Sequence, residues 1–196
     1  LDAFGFNALE NNTTGTHNVA VGFEAMESNT TGESNVAVGT YSLIENTEGD
    51  SNTAIGRSAL GSNTTASGNT AVGRSALTAN TTGVNNTAVG AYALDAATTA
   101  NNNTIFGKNA ATKITTGNSN TGVGSYCLEE NLTGVNNVAV GVSALNKTTS
   151  SDNTGIGSAA LYLNTTGGYN TAIGSYSLYA NTTGSDNTAI GYYALK

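Results

Sequence analysis

The chain has 196 residues, of which 10% are charged, with 25 Gly, no Pro and no Trp, and its formal net charge is −7. Its six Lys and Arg are scattered rather than clustered, which argues against a nucleic-acid binder and against electrostatic docking on an anionic membrane. No apolar run approaches the length of a transmembrane helix, no signal peptide is visible, and the single Cys127 excludes an intrachain disulfide framework. The start at Leu1 rather than Met reads as a fragment of something longer.

In chain order, one five-residue phrase recurs from the first residues to the last. It is written Asn-Val-Ala-Val-Gly or Asn-Thr-Ala-Ile-Gly, and it closes on Gly5, Gly22, Gly39, Gly56, Gly73, Gly90, Gly107, Gly124, Gly141, Gly157, Gly174 and Gly191. Each step is 17 residues except the one from Gly141 to Gly157, which is 16. The missing residue falls in the Asn-Thr-Thr-Gly segment, at Lys147–Thr148, so that segment is read as a surface turn. A period of this length that persists along the whole chain means a solenoid or an array.

The columns of the repeat are conservative. Four residues before the closing glycine stand the entry asparagines: Asn18, Asn35, Asn52, Asn69, Asn86, Asn103, Asn120, Asn137, Asn153, Asn170 and Asn187. Immediately before the glycine the residue is always Val, Ile or Phe, and four after it Leu dominates, with Met26 and Ala111 as exceptions. Two before and three after the glycine, the side chain is nearly always small. A second glycine column, including Gly15, Gly32, Gly83 and Gly184, marks the turn.

Helical repeats are longer and need apolar stripes on two helices. Here β-branched stretches alternate with Asn- and Gly-rich punctuation, the signature of short strands. The sequence therefore predicts an all-β chain: a parallel β-solenoid of about twelve 17-residue coils, with two short strands per coil. At about 4.8 Å per coil the rod would be about 58 Å long. Stacking sets each asparagine above the last, and identical amides can bond along the axis as in other Asn ladders. With one Val or Ile and one Leu per coil, the expected core is thin. The Ala and Gly columns are expected to form a close-packed face against identical chains, a threefold arrangement being the simplest closed one.

The units "NTAIG" and "NVAVG", followed by a small residue and "AL", resemble the head repeats of trimeric autotransporter adhesins. The fuller phrase is also similar to repeats of long phage tail-fibre proteins. The resemblance covers the whole chain, although adhesin-head repeats are usually shorter than these. It implies a left-handed parallel β-roll, assembly as a homotrimer, and an extracellular place on a virion tail fibre or a bacterial cell surface.

Residues for chemistry are few. His17 stands alone in a turn column, and no His, Cys or carboxylate set converges on a metal site, so neither a catalytic centre nor a cofactor is expected. Cys127 lies in a small column and is read as a buried side chain. Glu10 and Glu27 share a column in adjacent coils, and Glu129–Glu130 reads as an exposed edge. The Asn-x-Thr sequons at Asn80 and Asn181 are forced by the repeat. The aromatic residues of the last three coils offer more. Stacking sets Tyr176 beside Tyr193 and Tyr162 beside Tyr179, with Tyr169 and Tyr192 nearby. A Tyr ribbon can stack on sugars or pack between chains. Threonine rows from the Asn-Thr-Thr-Gly turns, such as Thr13, Thr30, Thr47 and Thr64, raise ice binding as an alternative, set against their place at a turn. The expected function is a structural and adhesive fibre segment for attachment to a surface, with partners limited to sister chains and a cell-surface glycan or protein receptor. A passive rod or an ice-binding solenoid is the alternative.

Overall fold

The computed structural model describes residues 1–196 and contains twelve strands of three residues each and no helix. They run from β1 (Asp2–Phe4) and β2 (Val19–Val21) through β4 (Thr53–Ile55), β5 (Thr70–Val72) and β7 (Thr104–Phe106) to β12 (Thr188–Ile190). All twelve form one parallel sheet in strict sequence order. Register is 17 residues throughout, as in Ala54 opposite Ala71, except where Ala139 meets Gly155 across the shortened repeat. The chain is a β-solenoid of about eleven full turns, and eleven steps of about 4.8 Å give a stack about 53 Å long.

Each coil carries one strand rather than the two expected. Stacking nevertheless continues around the whole coil: of 125 backbone hydrogen bonds, 103 lie outside the strands. Leu77 donates its N–H to Ala93 at 3.1 Å and Thr81 donates to Thr98 at 3.0 Å, one coil further on. The far side is therefore bonded rung to rung without strand geometry, because residues in the left-handed region interrupt it. Ser75 and Leu77 have φ of 54° and 51°, and this alternation recurs in every coil. Leucine in that region is strained. The neighbouring coils hold it there by bonding both sides of the turn.

The closing glycines are the positions where no side chain fits. Gly73 has φ 135°, and a Cβ there would stand 2.6 Å from the carbonyl oxygen of Gly90. The turn glycines differ: they keep ordinary φ, so although a Cβ at Gly83 would also crowd the carbonyl of the next coil, Ala66, Ala100 and Ser150 replace them in three coils.

The core runs up the middle of the roll as two Ala columns and one Leu column. Ala20, Ala37, Ala54, Ala71 and Ala88 on the strands are fully buried, as are Ala25, Ala59, Ala76 and Ala93 after the glycine, and Leu43, Leu60, Leu77 and Leu94 close the space between them. Two expectations fail here. The Ala columns are the chain's own interior, not a face offered to other chains. The Val and Ile column, expected inside, points outward: Val21, Ile55, Phe106 and Val123 are 37–41% exposed. Alternate residues of a strand face opposite ways, and in this thin roll the residue between them is alanine in nine of the twelve strands.

The hydrogen-bond register also places the missing residue of the short repeat. Thr148 accepts from Asn164 in the turn-asparagine column, Thr149 pairs with Thr165, and Ser150 bonds Gly167. The deletion therefore lies between Thr149 and Ser150, at the second threonine of the turn.

Candidate functional site

The entry asparagines stand where the chain turns into the strand, and they do more than bond one another. Asn86 accepts the Asn103 backbone N–H on Oδ1 at 3.0 Å, and its Nδ2 donates to the Ala100 carbonyl at 2.7 Å. The amide-to-amide bond from Asn103 to Asn86 is present but longer, 3.1 Å. Asn52 and Asn69 make their backbone bonds without donating an amide-to-amide bond to the asparagine below. The amide thus substitutes for a backbone rung at a corner where no carbonyl faces the N–H. From Asn18 to Asn170 the ladder is buried, and it is half-buried only at Asn187 in the last coil.

A second asparagine ladder runs up the opposite corner, and the sequence reading missed it as a structural feature. Asn29 donates to Asn12 at 2.7 Å, Asn46 to Asn29 at 2.9 Å, Asn63 to Asn46 at 2.8 Å and Asn80 to Asn63 at 3.0 Å. Here the amide-to-amide bond is the rule. The signal was the first letter of each Asn-Thr-Thr-Gly turn, masked because Ala97, Ile114 and Thr148 interrupt the column. Where it stops, below Ala97, Asn80 Oδ1 is buried without a partner. Asn80 is fully buried, so stacking closes off its Asn-x-Thr motif, whereas Asn181 in the last coil is half-buried.

Five of the six candidate tyrosines come together. Tyr162 stacks on Tyr179 at 5.4 Å, Tyr176 on Tyr193 at 4.9 Å, Tyr176 tilts against Tyr179 at 5.6 Å, and Tyr192 meets Tyr193 edge-on at 4.4 Å. Tyr169 lies apart, in the turn column between Asp152 and Asp186, and is 67% exposed. Because stacked rings turn their faces to each other along the axis, the ribbon offers solvent mainly edges and hydroxyls, with Tyr192 the most open of the five. Phe6, Phe23 and Tyr41 form a smaller cluster at the other end, with centroids 5.4 and 5.6 Å apart.

The titratable groups make no reactive constellation. His17 is exposed, its Nδ1 3.0 Å from the Thr16 hydroxyl. Cys127 is buried, and burial pushes its thiol up to about 12. Partial desolvation, then the charges of Glu27 and Glu10, raise Glu24 above the usual carboxylate range. The hydrogen bond from Lys113 at 2.6 Å, with Lys147 at 3.5 Å, lowers Glu130. No group of three or more His, Cys, Asp or Glu is placed to hold a metal ion. The one recess lies at the last coil, lined by Leu178, Asn181 and Leu195, the same columns that the next coil covers elsewhere.

What remains is the outer sheet face. Twelve outward aliphatic or phenyl side chains, from Phe4 to Ile190, form one unbroken row. Beside it runs a second outward row, two residues earlier, which is threonine in five consecutive strands: Thr53, Thr70, Thr87, Thr104 and Thr121. The turn threonines behave differently: Thr30 and Thr47 donate their hydroxyls to carbonyls of the next coil. No family model, no curated protein and no solved structure matches the chain.

Proposed function

We propose that this chain is a shaft or head segment of an extracellular homotrimeric fibre, used to attach a virus or a bacterium to a target surface. The observation that carries this reading is the unbroken outward row of Val, Ile and Phe on the sheet. A solvated sheet face alternates with polar residues outward. This one puts its aliphatic side chains out and its alanines in. With the flanking rows, the face measures on the order of 700 Å² by strand and rung spacing, near the roughly 800 Å² per partner of a stable interface. Sister chains close it by apolar burial, and a threefold ring does so without leaving a free end. The roll is left-handed in this proposal, as the resemblance to adhesin heads implies. Receptor contacts fall on the tyrosine ribbon at Tyr162, Tyr176, Tyr179, Tyr192 and Tyr193, on Tyr169, and on the turns.

Sedimentation equilibrium tests the assembly. The expected result is three chain masses, with Val72→Glu plus Val89→Glu giving a folded monomer. A wild-type monomer would reject the trimer. A glycan array on the assembled segment tests the ribbon, where Tyr179→Ala is expected to weaken binding and leave the trimer intact.

One observation favours a second reading. Alternating outward rows of Thr and of Val or Ile on a regular, in-register sheet are the two-row array that ice binding wants, and they lie on the strands rather than at the turns. A monomer that shows thermal hysteresis, lost in Thr87→Tyr, would replace the fibre reading with this one.

A further inference from the structure

The two margins of the outer sheet face carry opposite charge. The residue after each closing glycine forms one margin. It includes Arg57, Arg74 and Lys108 and no carboxylate. The two residues before each entry asparagine form the other. They include Glu33, Asp50, Asp152 and Asp186 and no Lys or Arg. The three cations are exposed, and so are Glu33 and Asp50.

These charges are unspent within the chain. Its two ion pairs, from Lys113 and Lys147 to Glu130, lie elsewhere on the roll. Arg74 sits 5.3 Å over the ring of Tyr92 and makes no ion pair. One oxygen of Asp50 accepts the Glu33 backbone N–H at 2.7 Å, which fixes the carboxylate and leaves the other oxygen open. Asp50 and Arg57 flank the same strand, β4, so they lie at one level of the rod on opposite sides of the apolar row.

Symmetry then discriminates between packings. Rotation about an axis along the rod keeps the copies parallel and sets the acidic margin of one against the basic margin of the next. Rotation about an axis across the rod makes them antiparallel and sets like margins together, so Arg57, Arg74 and Lys108 would face their own kind. Resting on the trimer reading above, we propose that sister chains meet on this face in parallel and in axial register, with Arg57 of each copy paired to Asp50 of the next. A closed ring allows no axial slip, so the pair is made three times or not at all. Exposed ion pairs add little affinity, but charge at an interface margin selects orientation. The apolar row is nearly uniform along the rod and cannot supply that selection, because it presents much the same side chains to a parallel and to an antiparallel copy.

Cross-linking tests the pairing. In a Cys127→Ala background, Asp50→Cys combined with Arg57→Cys is expected to give covalent species up to the trimer with a short thiol-reactive bifunctional reagent. Either cysteine alone is expected to give none. Covalent dimers from Arg57→Cys alone would show like margins in contact and overturn the proposal. A double variant that does not cross-link while still sedimenting as a trimer would overturn the pairing and leave the assembly standing. A monomer would bring down both. As an independent measure, Arg57→Asp is expected to weaken association about tenfold, and adding Asp50→Arg to restore it. Failure of that restoration would also count against the pair.

Discussion

The coils between residues 18 and 80 and those between residues 97 and 128 reach the same backbone by different means. In the first group each coil carries two asparagines, two inner small residues and a Leu, Met26 taking its place once. In the second, Ala97 and Ile114 replace the turn asparagines, Ala111 replaces the leucine, and Ile105 and Gly122 replace the strand alanine. Ile105 and Gly122 compensate: a Cβ on Gly122 would stand 3.0 Å from Ile105 Cδ1 and 3.0 Å from Cys127 Sγ. The entry asparagines Asn103 and Asn120 persist through this apolar stretch, fully buried.

The difference shows that the two ladders are not equivalent. A turn asparagine bonds its own kind and the carbonyl of its own turn. That carbonyl is already served from the other ladder: Asn52 and Asn63 both donate to the Ala66 carbonyl, at 2.8 and 3.0 Å. Removing the turn asparagine leaves no backbone group unserved, only the Asn80 Oδ1 below Ala97, and packing replaces it. An entry asparagine satisfies a backbone N–H that no apolar side chain can reach.

Four sets of substitutions would break or sharpen this contrast. Gly73→Ala and Gly107→Ala should be the most damaging, and equally so in both regions, since the glycine is common to them. The backbone strain alone is about 1–3 kcal/mol, and overlap with the next coil adds to it. A mild effect at Gly107, read from the unfolding midpoint, would mean that the middle coils are looser than described.

Asn86→Leu should come next, and should exceed Asn52→Leu. Both orphan one backbone N–H, but only Asn86 is the sole donor to its turn carbonyl, that of Ala100. Each buried orphan costs about 1–3 kcal/mol. Denaturant titration of the two variants should therefore separate them by about that amount, and equal losses would refute the division of labour between the ladders.

Ile105→Ala should cost about 2–4 kcal/mol through the cavity it leaves. Ala111→Leu in the wild-type chain should overpack by about 1–3 kcal/mol, yet be tolerated once Ile105 is Ala. A double-mutant cycle should return a coupling of about 1 kcal/mol or more. Additivity would show that the two exchanges are unrelated.

The smallest effect is a gain. Ala97→Asn would place a donor at the orphaned Asn80 Oδ1 and extend the second ladder, worth about 1 kcal/mol. A lower midpoint would mean that the space above Asn80 has closed around alanine.

The sequence by itself determined the period, the parallel in-register stack, the absence of helix and the entry-asparagine ladder. Identity at fixed spacing is a direct statement of what lies above what, and buried amides recur only where they are bonded. Burial of Cys127 and the solvated turn at His17 followed from their columns in the same way, as did the pairing of Tyr162 with Tyr179 and of Tyr176 with Tyr193.

Only the tertiary structure decided which side of the strand faces in. Val-Ala-Val reads equally well with either face buried, and a shift of one residue exchanges them. Hydrophobicity favours burying valine. The narrow roll, closed by glycines at φ near 130–150° and already filled by Leu from the facing side, takes alanine at this position, with the larger Ile105 seated beside Gly122. The apolar row is thereby turned outward, and the surface on which the proposed function rests comes into being.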